Sequence, residues 1–189
     1  ISTVAYPAMS KMAAENDLRG MKLSIKEAIN MISLLVAPAA LGCMVLAEPI
    51  VEFLFSRGAF DAEAKMMTAS VLFFYSVGSL AYGYRNILAR AFYSMSDTKT
   101  PMINANIAVV LNVLLNIILS KFLGLGGLAL ATSISAMFTT FLLAINLRKR
   151  IGALGIRDMS ITLLKILLAS GLMGVGARLL FDILQSYFV

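Results

Sequence analysis

Five long apolar stretches, separated by joints that hold nearly all of the charge, restrict this chain to one solvent, the interior of a lipid bilayer. Their approximate limits are 28–47, 66–84, 102–120, 122–147 and 161–182, each long enough to cross a hydrocarbon layer of ~30 Å at ~1.5 Å per residue. The runs are continuously apolar and do not alternate, which excludes barrel strands. A helix is the open-ended element that satisfies its own backbone in lipid. Charged residues make up only 14% of the chain, against roughly a quarter in soluble proteins. The expected fold class is an all-α, polytopic transmembrane bundle of five full spans, plus the end of a sixth helix at the N-terminus. The opening residues, Ile1 to Pro7, read as the tail of that sixth helix and carry no signal-peptide pattern, so the chain reads as a fragment. Pro38 and Pro49 predict a kink or a frayed end in the first span, and the single Cys43 is expected to be a buried, inert thiol.

Lys and Arg collect at alternate joints, which predicts orientation. Lys11, Arg19, Lys22 and Lys26 precede the first span, Arg85, Arg90 and Lys99 follow the second, and Arg148, Lys149, Arg150 and Arg157 follow the fourth. These joints are expected on the cytoplasmic side. The segment with Glu48, Glu52, Asp61 and Glu63 and the joint with Lys121 are expected outside. An even number of upstream helices follows if the parent chain starts in the cytoplasm. The pI near 9.6 then reports topology and contact with membrane lipids, with no nucleic-acid partner.

Enzyme chemistry finds no footing here. The chain has no His, no Cys pair and no nucleotide-binding loop, and nearly all of its acidic residues sit in the joints. Function is therefore sought among the sparse polar groups of the spans. Asn104, Asn112, Asn116 and Ser120 recur at multiples of four and form one stripe on an aliphatic helix. Two readings stay open: hydrogen-bond glue between helices, or the lining of a polar path or ion site, for which amide oxygens at i and i+4 are well placed. On the fourth span Gly127, Ala131 and Ser135 form a small-residue ridge for close packing, with Thr132 beside it.

Tyr84, Phe92 and Tyr93, next to the second basic joint, are expected in an interfacial belt, while Tyr75 and Tyr82 fit either a belt or a cavity. Arg85 and Arg90 read either as topology charge or as vestibule arginines able to meet a pyrophosphate in bidentate fashion. Lys165 and Arg178 bracket the last span, and Asp182 is one turn from Arg178. Thr100 and Pro101 predict an N-cap and first helical residue for the third span. Arg57-Gly58 reads as a tight interfacial turn anchored by Phe53, Phe55 and Phe60.

Several strings, in order, resemble the MurJ/MviN family of lipid II flippases. They are Pro7 to Ser10, Phe53 to Asp61, Tyr75 to Gly78, Ala91 to Ser94, Asp97 to Pro101 and Gly127 to Ser133. The resemblance runs from the first residue to about Asn146, and the last span is similar only in hydrophobicity and position. The chain departs from the family pattern at Met9, Ser94 and Asn116, the last standing where some members place Asp.

The resemblance implies part of an exporter with two six-helix lobes and additional C-terminal helices. Residues 1–147 would be the end of the eighth helix through the twelfth, and 148–189 a linker and a further helix. It implies a multi-pass protein of the bacterial inner membrane that moves lipid II, or a similar polyprenyl-linked substrate, by alternating access. The first lobe of the same protein would be its partner. It also implies that Asn112, Asn116 and Thr132 match ion ligands of the family, so that no cofactor is expected other than Na⁺ as a candidate there, and, with Asn116 leaving the site short of charge, binding by this segment alone is expected to be weak or absent. A related exporter of another glycan or of drugs, coupled to Na⁺ or H⁺, is the alternative, and a non-transporting scaffold the third reading.

Overall fold

Residues 2–55, 61–153 and 155–188 are described by the computed structural model, and every element among them is helical. The order is α1 Ser2–Ala14, α2 Leu18–Val45, α3 Ala47–Phe55, α4 Ala62–Ser94, α5 Lys99–Ile151 and α6 Ile156–Phe188. The sequence limits were drawn where hydropathy ends, but the helices run on past them as their polar ends enter water. α4 spans 33 residues and α2 begins at Leu18. Local chemistry sets these starts. Asp17 accepts the Gly20 amide at 2.9 Å behind Asn16 in the left-handed region, and Asp61 accepts the Ala64 amide at 2.8 Å.

A straight α5 of 53 residues would be about 80 Å long, far more than a bilayer requires. It folds back on itself instead. Gly124 leaves helical geometry at φ 55°, a left-handed value that glycine adopts without a Cβ clash. Asn112 then touches Thr132, and Asn104 touches Asn146. The third and fourth spans are thus the two antiparallel arms of one hairpin; among the described residues four helices, α2, α4, α5 and α6, are long and apolar enough to cross a membrane, and with α5 divided at Gly124 they account for the five spans the hydropathy predicts. Gly127 sits on the Leu119 carbonyl with no room for a Cβ, and Ala131 and Ser135 along the same ridge are buried.

The second arm of α5 runs parallel to α4 in a seven-residue register. Ser133 Oγ donates to the Phe74 carbonyl at 2.6 Å and Thr140 Oγ1 to the Ala81 carbonyl at 2.9 Å, while Gly78 lets the Ser133 backbone approach. A compact core joins α1, α2, α4 and the end of α5 through Met9, Met21, Ile25, Phe92, Leu143 and Leu147. α6 leans mainly on α2, where Gly174 faces Val45 Cγ2 and the Leu41 carbonyl.

Several sequence expectations need correction. Phe92 is 1% exposed in that core, and Tyr84 is half-buried with its hydroxyl 2.6 Å from Ser33 Oγ, so neither belongs to an interfacial belt; Tyr93 remains exposed. Leu88, Ala91 and Phe92 share the inward face of α4, and facing, more than depth, decides burial. Pro49 lies in the first turn of α3, not at the end of the first span. α5 starts at Lys99 rather than Pro101, with Thr98 and not Thr100 at the N-cap position, and the Thr100 amide of its first turn is bonded by the Asp97 side chain. Cys43 is only half-buried. Arg57, Gly58 and Phe60 lie outside the described residues.

The joints rich in Lys and Arg gather at one end of the bundle. Lys26 pairs with Asp158 at 3.1 Å, Arg150 with Asp97 at 2.5 Å, and the Lys22 ammonium lies beside Gly152. At the opposite end Lys65 pairs with Glu52, and Glu48 and Arg178 line one cleft. Arg178 also meets Asp182 at 3.2 Å, the one-turn pairing its spacing predicts.

Candidate functional site

The seam between the two arms of α5 carries the polar stripe. Asn112 and Asn116 are one turn apart, and Thr132 faces them from the second arm because the Gly124 turn sets that register. Asn116 Nδ2 donates to Asn112 Oδ1 at 3.1 Å, Asn112 Nδ2 donates to Thr132 Oγ1 at 3.3 Å, and Thr132 Oγ1 donates to the Leu128 carbonyl at 2.8 Å. The chain of bonds ends on one unspent acceptor, since Asn116 Oδ1 is buried without a partner among the described residues. A buried oxygen left bare is costly and invites a donor or a cation.

The donor set is chemically uniform. Asn112 Oδ1, Asn116 Oδ1 and Thr132 Oγ1 are hard, neutral oxygens, and no group of three His, Cys, Asp or Glu that could hold a metal occurs among the described residues. Such oxygens fit an alkali cation and do not fit a soft transition metal. They supply no negative charge, so a cation held here needs a carboxylate from elsewhere or tolerates weak binding.

Toward the basic end the same seam holds a second amide pair that sequence reasoning did not join. Asn146 Nδ2 reaches Asn104 Oδ1 at 3.5 Å, while Asn104 Nδ2 is buried without a partner among the described residues. Both amides line a cleft of about 380 Å³ with Thr100, Lys149 and Arg150. The signal was present in principle, because Asn146 lies across the hairpin from Asn104, but it becomes legible only once the turn is located at Gly124.

The remaining predicted residues are placed elsewhere. Arg85 stacks over the Tyr82 ring at 5.0 Å from its centroid, on α4 and away from the Asn112–Thr132 cluster. Arg90 lies further along α4, near its basic end, and is partly buried. At the start of α5 Asp97 accepts the Thr100 amide at 3.0 Å and the Thr100 hydroxyl at 2.9 Å. The Thr100 amide holds the Asp97 carboxyl below the usual carboxylate range; the Thr100 hydroxyl and the Arg150 guanidinium reinforce it against the opposing effect of desolvation.

A polar seam inside an apolar hairpin, on a five-crossing bundle, is the arrangement that comparison with known proteins must match. The model of one family, described as lipid II flippase MurJ, matches residues 1–189. The chain belongs to that family. The match takes in the last span, beyond the 146 residues that the motifs cover. A probable lipid II flippase MurJ of Vibrio cholerae is 40% identical over 143 residues, 76% of this chain and 27% of the relative. One of Thermotoga maritima is 31% identical over 180 residues, 95% of this chain and 35% of the relative. A solved structure of lipid II flippase MurJ in an inward closed conformation covers the whole chain, with a TM-score of 0.77 and 29% identity, over 37% of its own length. The chain therefore spans about a third of the length of the relatives it matches, as a multi-pass membrane segment of the MurJ family.

Proposed function

We propose that this segment is part of a flippase that carries a lipid-linked peptidoglycan precursor outward across the bacterial inner membrane by alternating access. The observation that carries this reading is the family match over all 189 residues. The α4–α5 packing supports a rigid-body role: two interhelical hydroxyl bonds and a glycine contact tie these helices into one unit that can rock as a whole. A second lobe of the same protein is the partner against which it rocks. The basic end faces the cytoplasm, as the clustering of Lys22, Lys26 and Arg150 supports.

In this reading Asn112, Asn116 and Thr132 would hold Na⁺, which would supply a positive charge at the seam between the two arms of α5. Support comes from the bare Asn116 Oδ1 beside two further hard oxygens. The test replaces the endogenous flippase of a bacterium by the full-length protein containing this segment. Growth and exposure of lipid II at the outer face of the membrane are expected to be restored. Failure with normal membrane expression overturns the function. Asn116→Ala is expected to remove Na⁺ dependence of transport and Asn104→Ala to keep it; unchanged Na⁺ dependence in both variants makes the seam packing alone.

A further inference from the structure

Because α6 leans on α2 and stands off from α5, a cleft of about 490 Å³ opens between them, floored by α4. Its deep wall has three hydroxyls, and none is free to donate. Ser33 donates its single hydrogen to the Ile29 carbonyl at 2.7 Å, so in the 2.6 Å contact with Tyr84 the phenol is the donor. Thr140 shares its hydrogen between the Ala81 and Ala136 carbonyls. Around them the surface is hydrocarbon, including Leu88, Ala144 and Leu163. Water needs two to four polar partners to be held in such a space and finds few there.

The basic end of the cleft has the opposite chemistry. Arg148 and Ser160 line it there, both exposed. Arg148 has no carboxylate partner among the described residues: Asp158, ten residues along the chain, is taken by Lys26 and Asp97 by Arg150. Thr140 lies eight residues deeper on the same arm, about 12 Å at 1.5 Å per residue. The cleft thus offers a guanidinium without a carboxylate partner among the described residues, at headgroup depth above an apolar slot.

We propose that this cleft is a binding site for one anionic glycerophospholipid, with its phosphate on Arg148 and an acyl chain in the slot between α6 and the α4–α5 face. A guanidinium takes a phosphate in a bidentate fork, and basic clefts between membrane helices select anionic headgroups. The lipid fills the gap that α6 leaves and couples its position to the hairpin. The site lies apart from the Asn112–Thr132 seam and does not depend on the flippase reading, only on the chain being in a membrane.

The test is native mass spectrometry of the full-length protein released from nanodiscs holding equal phosphatidylglycerol and phosphatidylcholine. Phosphatidylglycerol is expected to be retained in about fivefold preference, which is ~1 kcal/mol. Arg148→Gln is expected to remove the preference and Lys149→Gln to keep it, while Ala144→Phe, filling the slot, reduces retention of both lipids. Equal retention of the two lipids by the unmodified protein overturns the site. So does a preference that survives Arg148→Gln, or one lost equally in Lys149→Gln, which would be diffuse surface charge. A photo-crosslinker at Leu163 that captures a protein segment, or displacement of the phospholipid by equimolar undecaprenyl pyrophosphate, assigns the cleft to another occupant and also overturns it. Arg148 is exposed, so its variant decides the matter even if Ala144→Phe fails to fold.

Discussion

Arg150, at the end of the α5 hairpin, places a guanidinium nitrogen 2.5 Å from the carboxylate of Asp97, which caps the start of the same hairpin. One carboxylate thus closes both ends of the hairpin at the basic face. Asp97→Ala is expected to lower stability by about 1–2 kcal/mol at neutral pH, most of it the lost cap, since Arg150 is half exposed and its ion pair is screened. Asp97→Asn costs less because its amide oxygen still accepts from Thr100. The folded pKa is depressed, so the contribution of the charge is complete above the ordinary value of 3.8 and is lost as pH falls through the folded value below it. Melting curves of the purified protein should show a gap between wild type and Asp97→Asn that is flat near neutrality and closes in acid. A gap that widens in acid contradicts the assignment.

Two glycines make a matched pair for the α4–α5 contact. A Cβ on Gly78 would meet the Ser133 backbone, with its Cα at 2.7 Å, whereas one on Gly42 meets nothing within 4 Å. Gly78→Ala should destabilise by about 1–3 kcal/mol as the helices part. Gly42→Ala should be neutral or stabilising by up to about 1 kcal/mol. Equal melting temperatures for the two variants would show that the contact is not tight.

Orientation is open to impermeant thiol labelling once Cys43 is replaced by Ser. Ala153 and Glu63 are both exposed and lie at opposite ends of the bundle. Glu63→Cys should react from outside intact cells and Ala153→Cys only after the membrane is permeabilised. The reverse pattern inverts the topology.

Asn116→Asp converts the bare oxygen of the seam into a carboxylate. If a cation sits there, the variant of the full-length protein should bind Na⁺ more tightly, by about tenfold or more, because a neutral site gains a charge. Without a cation the same carboxylate is buried and unpaired, and stability falls whether or not Na⁺ is present. Thermal stability with and without Na⁺ separates the two outcomes.

The spans were legible because bilayer thickness dictates the length of apolar runs, and the small-residue ridge because backbone approach demands glycine and alanine. The hairpin was legible as two spans, whereas Asn112, Asn116 and Thr132 were grouped by the family resemblance, and the 3.3 Å contact of Asn112 with Thr132 is a finding of the fold. What hydropathy could not supply was rotation. Tyr84 and Phe92 sit beside arginines in the sequence, yet they turn inward to Ser33 and Met9. The capping Asp97 was hidden because Thr100 and Pro101 form an equally good local signal for a helix start, whereas in the fold the Thr100 amide and hydroxyl both donate to Asp97 and Arg150 joins them across the hairpin. Asn146 became meaningful only through its place across the turn.

The turn at Gly124 also bears on how this part of the chain enters a membrane. Residues 122–126 are Phe-Leu-Gly-Leu-Gly, so the tip carries no ionised group beyond Lys121. Moving it through the hydrocarbon costs on the order of 3 kcal/mol for that one lysine, which the apolar arms on either side outweigh. The arms of α5 are therefore suited to partition as a single unit, the amides meeting across the seam before either arm faces lipid alone, whereas the α3–α4 joint, with Glu52, Asp61, Glu63 and Lys65, demands assisted transfer.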